Sequence, residues 1–466
     1  MLRARMSAVL LSCTLLTVAC SGDGSSPMSP DAMQQTATAT MATRQIILLK
    51  QGKSATTMAT HVQALGGNIQ RTHESIGVLM ADHLDPTAIA ALRLHPDVAA
   101  VVADRYVRWL PTKRIVRQGP ATKRTVSLSK TDPTTAEFYA EFQWNIRVIH
   151  ANAVYRLTRK GVHKRVCILD TGVDYTHIDL AGKVNQSVST SLVASEPGIE
   201  DLDFHGTFVS SMVATNGIGI ASVAPSAELC MVKVLDHTGS GTFSDAISGT
   251  IYAADVSADV INMSFGAMFL KSDSGVAQLR EAFQRAVNYA TNQGIVVAVA
   301  AGNDGVNLAK SDSIEIPAQL NNVISTGAIA PIDQMNFLNT ASYTNFGFPA
   351  VQVFAPGGDQ IPGDSLADLI IGACSSFSIT LPFSCADKES YVFGAGTSFA
   401  SPHVAGEAAV LQSDFDTPTT RRPIDTEPVR HCILISAAEP NFIRPDPVYG
   451  YGVIDMITAR DCFNTI

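Results

Sequence analysis

The feature that most constrains the fold is a regular alternation beyond Phe142, where short apolar runs separate segments with helical patterning. The runs are continuously apolar, which is typical of strands buried on both faces of a parallel sheet. They span residues 165–169, 229–235, 260–263, 295–300 and 323–326. The sequence therefore predicts a three-layer α/β domain over residues 140–466, with a central, mostly parallel sheet between helices.

A smaller unit precedes this domain, at residues 44–110. Strand-like and helix-like patterns alternate there, and they predict a small α+β domain. Residues 111–139 follow as a predicted linker. Between 111 and 130 this linker carries six basic residues and no acidic one, so we expect an exposed, unstructured segment that is easily cut.

Charge is distributed unevenly along the chain. Residues 1–130 hold 15 Lys and Arg against 7 Asp and Glu, whereas residues 131–466 hold 18 against 35. The large acidic region argues against binding to nucleic acid. The opposite signs of the two parts suggest that they dock on each other.

The first residues have the features of a secretory signal peptide. Arg3 and Arg5 precede an apolar stretch of twelve residues at 8–19, which is too short to span a membrane. The stretch ends at Cys20 in a sequence that resembles a bacterial lipobox, so we predict a signal at 1–20 with lipidation of Cys20. Cleavage by the ordinary signal peptidase is the alternative. Residues 21–43 are predicted to be a flexible tether.

Six cysteines remain in the part predicted to be exported, where disulfides are permitted. Cys374 and Cys385 flank one polar loop and are close enough in sequence to pair, while Cys432 and Cys462 both lie near the C-terminus. Cys167 and Cys230 lie in apolar strands, where burial as free thiols is as plausible as a bond.

Four motifs occur in one order along the chain. They are Val-Cys-Ile-Leu-Asp-Thr-Gly-Val-Asp at 166–174, Asp-Phe-His-Gly-Thr-Phe-Val at 203–209, Ala-Ala-Gly-Asn-Asp-Gly at 300–305 and Gly-Thr-Ser-Phe-Ala-Ser-Pro-His-Val-Ala-Gly at 396–406. Together they resemble the subtilisin-like serine proteases, or subtilases. The chain departs from the usual family pattern at Ala395, where a serine is usual, and at Phe399, where a methionine is usual.

These motifs contain the groups that acyl transfer needs. A serine hydroxyl becomes a good nucleophile when an imidazole takes its proton and a buried carboxylate holds that imidazole in the correct tautomer. Ser398, His205 and Asp170 are predicted to take these roles. Ser398 also opens a helix-like segment, where free N–H groups favour an oxyanion. Asn303 is predicted to donate its side-chain amide to that oxyanion.

The resemblance also implies where substrate binds. Subtilases hold an extended peptide between two strand-like edges, at which glycines let the backbones approach. Glu315 falls where the family has the base of the pocket for the side chain preceding the cut bond, so we predict a preference for Lys or Arg. A Glu315 side chain that points to solvent is the alternative. The predicted substrate-binding residues are Gly239, Ser240, Gly241, Ser264, Phe265, Gly266, Ala301, Gly302, Asp304 and Glu315.

The N-terminal unit resembles the family's propeptide, which assists folding, inhibits the protease and is then cut off. Arg114, Arg117 and Arg124 in the linker would match the predicted preference as self-cleavage sites. The chemistry needs no cofactor, but subtilases often bind structural calcium. Asp179 matches a common calcium ligand and Asn216 begins the companion loop, so both are candidate ligands, although this loop is shorter than usual.

The sequence thus predicts an exported serine endopeptidase, made as a zymogen, that acts on proteins or peptides and contacts membranes only through a lipid anchor. Asp-Thr-Gly at 170–172 also occurs in aspartic proteases, which need a second such carboxylate. The only candidate, Asp-Ser-Gly at 273–275, follows no hydrophobic strand, so an aspartic protease is excluded. Two alternatives remain on the same fold. One is a catalytically silent, lipid-anchored binding protein, which the intact motifs disfavour, and the other is a peptide ligase or cyclase.

Overall fold

The N-terminal unit is a four-stranded antiparallel sheet with two helices. The computed structural model describes residues 44–127, 129, 132–361, 365–385, 387–415, 426–438 and 445–465. The elements before the large C-terminal domain are β1 (Gln45–Leu49), α1 (Ala55–Ala64), β2 (Asn68–His73), β3 (Val78–Asp82), α2 (Pro86–Leu94), β4 (Val98–Ala103), β5 (Tyr106–Arg108) and β6 (Ile115–Ala121). The first four strands lie in the order β2-β3-β1-β4. This arrangement confirms the predicted α+β unit. The polar edge strand β2 was not predicted.

The large C-terminal domain contains the alternating strands and helices expected from the apolar runs. Its strands are β7 (Arg165–Asp170), β8 (Thr190–Ser191), β9 (Glu228–Lys233), β10 (Ser240–Thr242), β11 (Val260–Met263), β12 (Ala267–Leu270), β13 (Val296–Ala300), β14 (Ser313–Ile316), β15 (Ile324–Ile332), β16 (Met335–Thr340), β17 (Val353–Pro356), β18 (Ile370–Ala373) and β19 (Ser390–Ala395). Its helices are α3 (Tyr139–Phe142), α4 (Trp144–Val148), α5 (Ala151–Val154), α6 (His205–Val213), α7 (Phe243–Asp255), α8 (Val276–Thr291), α9 (Thr397–Phe415), α10 (Thr426–Ser436) and α11 (Met456–Phe463).

The central sheet confirms the predicted parallel architecture. Its strands lie in the order β16-β15-β13-β11-β7-β9-β8, with β17 also beside β15. Among the pairs that the described strands form in this sheet, only β15–β16 is antiparallel. Alternate strand residues enter different cores: Val166 and Ile168 pack with helices α6 and α9, whereas Cys167 and Leu169 pack with α7 and α8. Burial of both faces explains why the runs are continuously apolar.

The N-terminal sheet packs on helices α7 and α8 through one of its faces. Ile46, Leu48, Val78 and Met80 join the same core as those helices. Polar contacts surround this apolar centre: Arg71 pairs with Asp245 at 2.7 Å, and the buried Asp104 accepts hydrogen bonds from the Ser244 N–H and hydroxyl. The basic unit and the acidic domain are therefore joined by burial and by charge.

The expectation that residues 111–130 are unstructured is wrong for part of this segment. Strand β6 pairs antiparallel with β19, from Ile115 opposite Ala395 to Ala121 opposite Ser390. Just before the segment, β5 pairs antiparallel with β10. Both contacts are with residues far away in sequence, so local composition does not indicate them.

Three disulfides link the six cysteines. They are Cys167–Cys230, Cys374–Cys385 and Cys432–Cys462. The first joins two residues that lie directly opposite each other on the parallel neighbours β7 and β9, so their side chains project from the same face. The predicted signal peptide, Cys20 and the tether lie outside the described residues, and none of the described helices is long and apolar enough to cross a membrane.

Candidate functional site

Asp170 and His205 form a buried pair at the carboxyl end of the central sheet. Asp170 is the last residue of β7, and His205 is the first residue of α6. The Nδ1 of His205 lies 2.8 Å from the Oδ1 of Asp170. Because a carboxylate accepts, Nδ1 is the donor of this bond, which leaves Nε2 as the proton-accepting nitrogen. The pair can therefore act as a general base with a fixed tautomer.

Ser398 is the second residue of α9. One small cavity has His205, Asn303 and Ser398 together in its wall, so the structure brings these predicted residues to one place. The Ser398 carbonyl accepts a hydrogen bond of 2.7 Å from the Ser264 hydroxyl, which fixes the first turn of the helix. The first turn of a helix presents backbone N–H groups that have no partner within the helix. The Ser398 hydroxyl therefore lies next to backbone N–H groups that can donate hydrogen bonds to an oxyanion.

Asn303 is held by its side-chain oxygen, so that its amide nitrogen is available. Its Oδ1 accepts the N–H and the hydroxyl of Thr397, both at 2.9 Å. Its Nδ2 makes no hydrogen bond to any other residue in the described ranges, and the side chain lines the cavity with Ser398. Thr397, which sequence reasoning did not single out, sets this orientation; its place directly before the nucleophile was the available signal.

The two predicted substrate edges are engaged by the chain's own residues 106–110. Arg108 and Val107 lie opposite Ser240 and Gly241 in the antiparallel pair of β5 and β10. The carbonyl of Gly239 accepts the N–H groups of Trp109 and Leu110, at 2.9 and 3.0 Å. On the other edge, the N–H of Gly266 donates to the Trp109 carbonyl at 3.3 Å. The cleft between these edges therefore holds an added strand, as β-augmentation requires.

Trp109 fills an apolar pocket beside these edges. Its ring packs edge-on against Phe243 and Phe265, with centroids 4.9 and 5.5 Å away, and its Nε1 donates to the Gly241 carbonyl at 3.0 Å. Phe265 thus contributes a wall of a side-chain pocket. Ser264 does not face the cleft with its side chain, since its hydroxyl is buried and turned to Ser398 and Ser401.

Glu315 points into a cavity and not to solvent, which excludes the solvent-facing alternative. The cavity has a volume of about 340 Å³, and its wall includes Gly266, Gly302, Ser398 and Glu315. Only 1% of Glu315 is exposed, and its Oε2 has no hydrogen-bond partner among the described residues. Burial, with a smaller effect of the Asp304 charge, raises the pKa of the Glu315 carboxyl well above its usual value. A cation beside this group would favour its ionised form.

The floor and rim of this cavity come from the loop after β13. Gly302 has φ +95°, and a Cβ there would lie 2.4 Å from the Nδ2 of Asn345, so glycine is required. Asn345 also binds the Ala301 carbonyl and the Asp304 N–H, at 2.9 and 3.1 Å. Asp304 itself is exposed on the rim. Asn345 is a second residue that sequence reasoning missed, because it lies 41 residues beyond the loop it holds.

The geometry at Asp179 does not fit a calcium ion. Its carboxylate accepts the N–H groups of Ile218, Gly219 and Ile220, at 2.7 to 3.0 Å, and the Tyr391 hydroxyl at 2.6 Å. Asn216 meanwhile donates its side-chain amide to two backbone carbonyls. Donors thus occupy the lone pairs that a cation would need. Across the described ranges, no group of three or more His, Cys, Asp or Glu side chains is arranged to hold a metal.

Comparisons with known proteins agree with this geometry. The sequence profile of the subtilase family (peptidase S8) matches residues 161–452. Subtilisin amylosacchariticus of Bacillus subtilis subsp. amylosacchariticus is 31% identical over 388 residues, which cover 82% of this chain and 83% of that protein. The thermophilic serine proteinase of Bacillus sp. strain AK1 is 37% identical over 279 residues, 59% of each chain.

A solved structure supports the fold independently. The epidermin leader peptide processing serine protease from Staphylococcus aureus superposes with a TM-score of 0.69 at 20% identity, covering 90% of this chain and 98% of that one. At this identity the match concerns the fold alone. With the profile and the curated relatives, it leads to one conclusion: the chain belongs to the subtilase family and is a subtilisin-like serine endopeptidase.

Proposed function

We propose that this chain is an exported zymogen that cuts itself once within residues 111–114 and then acts on other proteins or peptides. The observation that carries the proposal is the path of the chain. Residues 106–110 lie on the substrate edges before Ser398, and β6 begins at Ile115 beyond it. Pro111 and Arg114 line the same small cavity as His205 and Ser398. The intervening peptide bonds therefore lie across the catalytic groups in the manner of a substrate.

The proposed chemistry uses an acyl-enzyme. Ser398 Oγ attacks the carbonyl carbon, while His205 takes the hydroxyl proton and then gives it to the departing amine. Asp170 keeps the imidazole oriented and stabilises its charged form. Asn303 Nδ2 and the first backbone N–H groups of α9 bind the oxyanion. Water then attacks the ester through the same imidazole, which frees Ser398 and completes hydrolysis.

The test combines labelling with sequencing. We expect an organophosphorus serine reagent to label Ser398 in the processed protein and to block hydrolysis of peptides. N-terminal sequencing of the processed chain should give a residue between Thr112 and Arg114. A new N-terminus after Arg117 or Arg124, or a protein that neither reacts nor processes, would contradict the proposed path; the second result would favour a silent binding protein.

Glu315 is predicted to give a preference for Arg or Lys before the cut bond, and this preference should grow with pH. Because burial raises the pKa of Glu315, its carboxyl is neutral at low pH and becomes charged as the pH rises through that raised value. A charged partner should increase kcat/KM for an Arg substrate over its norleucine analogue by about 10- to 100-fold. The ratio of the two substrates is measured from pH 5 to 9, so that pH effects common to both substrates cancel.

Two variants control this experiment. Glu315→Gln keeps the shape of the side chain and should give a ratio that does not change with pH. Asp304→Asn removes a charge from the exposed rim and should leave most of the Arg preference in place. If the unmodified enzyme cleaves the norleucine and Arg substrates equally well at pH 9, Glu315 does not have the role assigned to it.

The proposed route is export, with lipid on Cys20. The support is the signal-like start of the sequence and three disulfides in the remainder. We expect the uncut precursor to fractionate with membranes and Cys20→Ser to release it. The Cys13→Ser variant, which changes another cysteine in the same stretch, should stay with the membranes. Equal fractionation of the precursor with and without Cys20 would favour the ordinary signal peptidase.

A further inference from the structure

Arg114 makes a specific contact beside the catalytic histidine. Its Nη1 and Nη2 lie 2.5 and 2.7 Å from the Oδ1 and Oδ2 of Asp203, a two-bond pairing of guanidinium and carboxylate. The guanidinium also lies over the Phe204 ring, 4.8 Å from its centroid. Asp203 and Phe204 immediately precede His205 in sequence. The contact therefore places the Arg114 guanidinium next to the catalytic groups, on the side where the chain continues towards β6.

The Asp203 carboxylate is buried and held by other hydrogen-bond donors beside the Arg114 contact. Asp203 is fully buried. The Thr380 hydroxyl and the His205 N–H also donate to it, at 2.8 and 3.2 Å. A second carboxyl, Asp201, lies next to it, where burial and then the Asp203 charge raise its pKa to about 7. Removal of the arginine would leave Asp203 buried without a positively charged partner in this contact, which is costly for an ionised group.

The chain that follows Arg114 lies along an edge strand. Ile115, Val116 and Arg117 lie opposite Ala395, Gly394 and Phe393 of β19. Ala395 is three residues before Ser398, so this edge begins at the catalytic serine and runs away from it. The preceding residues, 106–110, lie on different edges. One chain thus occupies two separate strand sites, one on each side of the peptide bonds that cross Ser398.

We propose that Asp203, Phe204 and the edge of β19 form a recognition site for the part of a substrate that follows the cut bond, and that this site selects arginine within the first three residues after the cut. Arginine fits better than lysine because its planar group pairs with both carboxylate oxygens and stacks on the ring. The substrates would be polypeptides that remain extended for several residues beyond the cut. This inference rests on the proposed proteolytic function and adds a second determinant to it.

The proposal also predicts that substrate competes with the chain's own segment for this site. After self-cleavage the segment from Arg114 onward remains joined to the catalytic domain and can keep its place on β19. A substrate with arginine after its cut bond must displace it. Arg114→Gln should weaken the resident segment and favour such substrates. Arg117→Gln is the matched control, since it removes the same charge from an exposed side chain of the same strand that does not contact Asp203.

The kinetic test uses pairs of internally quenched peptides that differ only in Arg or Gln at one position after the cut. That position is the one Arg114 occupies relative to the new N-terminus found by sequencing. In processed Arg114→Gln enzyme we expect kcat/KM to be at least about fivefold higher for the Arg peptide, mainly through KM. Processed Arg117→Gln enzyme should match the unmodified enzyme. Asp203→Asn should abolish the difference, and Phe204→Leu, a second variant if the first does not fold, should reduce it. Equal rates for both peptides in Arg114→Gln enzyme would overturn the proposal.

A second measurement does not depend on catalysis. In full-length Ser398→Ala protein, Arg114→Gln should speed hydrogen exchange of the β6 amides, and Arg117→Gln should not. If no peptide is cleaved by the unmodified enzyme, the proposed function fails, whereas this exchange difference still reports on the Arg114 site. Equal exchange in the two variants would show that Asp203 does not anchor the segment, and the recognition site would then be discarded.

Discussion

Replacing Ser398 with alanine is expected to abolish peptide hydrolysis and to leave the chain uncut within residues 111–114. The nucleophile is lost while the packing of α9 is kept, because a serine hydroxyl is exchanged for a hydrogen. In subtilisin itself, loss of the corresponding serine lowers kcat by about 10⁶-fold, and we expect a loss of that order here. The measurements are hydrolysis of a peptide substrate and the mass of the purified chain.

The control for this result is Ser272→Ala, which removes an exposed hydroxyl in a loop of the same domain. It should be processed and active like the unmodified protein. Addition of a trace of active enzyme to the Ser398→Ala protein then distinguishes cutting within one molecule from cutting by a second molecule. If the alanine variant matures at the normal rate without such an addition, another protease performs the cut. If it also retains hydrolysis of peptides, the nucleophile has been assigned to the wrong residue.

Replacing Asn303 is expected to lower kcat by about 10²- to 10³-fold with little change in KM, a magnitude that comes from the same substitution type in subtilisin. The reason is that Nδ2 binds charge that develops only in the transition state. Asn303→Ala also removes the oxygen that holds Thr397, so its melting temperature must be measured alongside.

Asn303→Asp separates these two effects. It keeps an oxygen for Thr397 but replaces the donor with a carboxylate, which repels an oxyanion. We therefore expect stability closer to that of the unmodified protein and activity at least as low as that of the alanine variant. Near-normal kcat in either variant would show that backbone N–H groups alone stabilise the oxyanion.

Much of the catalytic arrangement could be predicted because it follows from local sequence. The runs around 165–169 and 295–300 are apolar throughout, and the polar residues at their ends, Asp170 and Asn303, meet at one edge of a parallel sheet. The helix beginning at Ser398 was visible as a run of small residues. The pattern of each segment and the direction of the strands placed these residues, and the resemblance of their motifs to the subtilases assigned their roles.

Other features depend on contacts between distant residues and could not be predicted. Strand β6 contains a Gly-Pro pair and the exposed Arg117, and it is ordered by the edge of β19. Gly119 approaches this edge so closely that a Cβ would lie 2.6 Å from the Tyr391 carbonyl oxygen. The burial of Glu315 likewise follows from the pairing of β12 with β14, in which it lies opposite Met268.

The positions of the disulfides determine how the cut chain is held together. No cysteine occurs between residues 44 and 166, and the six later ones bond among themselves. A cut within 111–114 therefore yields two polypeptides without a covalent link. Their association becomes a bimolecular equilibrium governed by mass action. The N-terminal unit would then stay on the cleft where the protein is concentrated and would leave it on dilution.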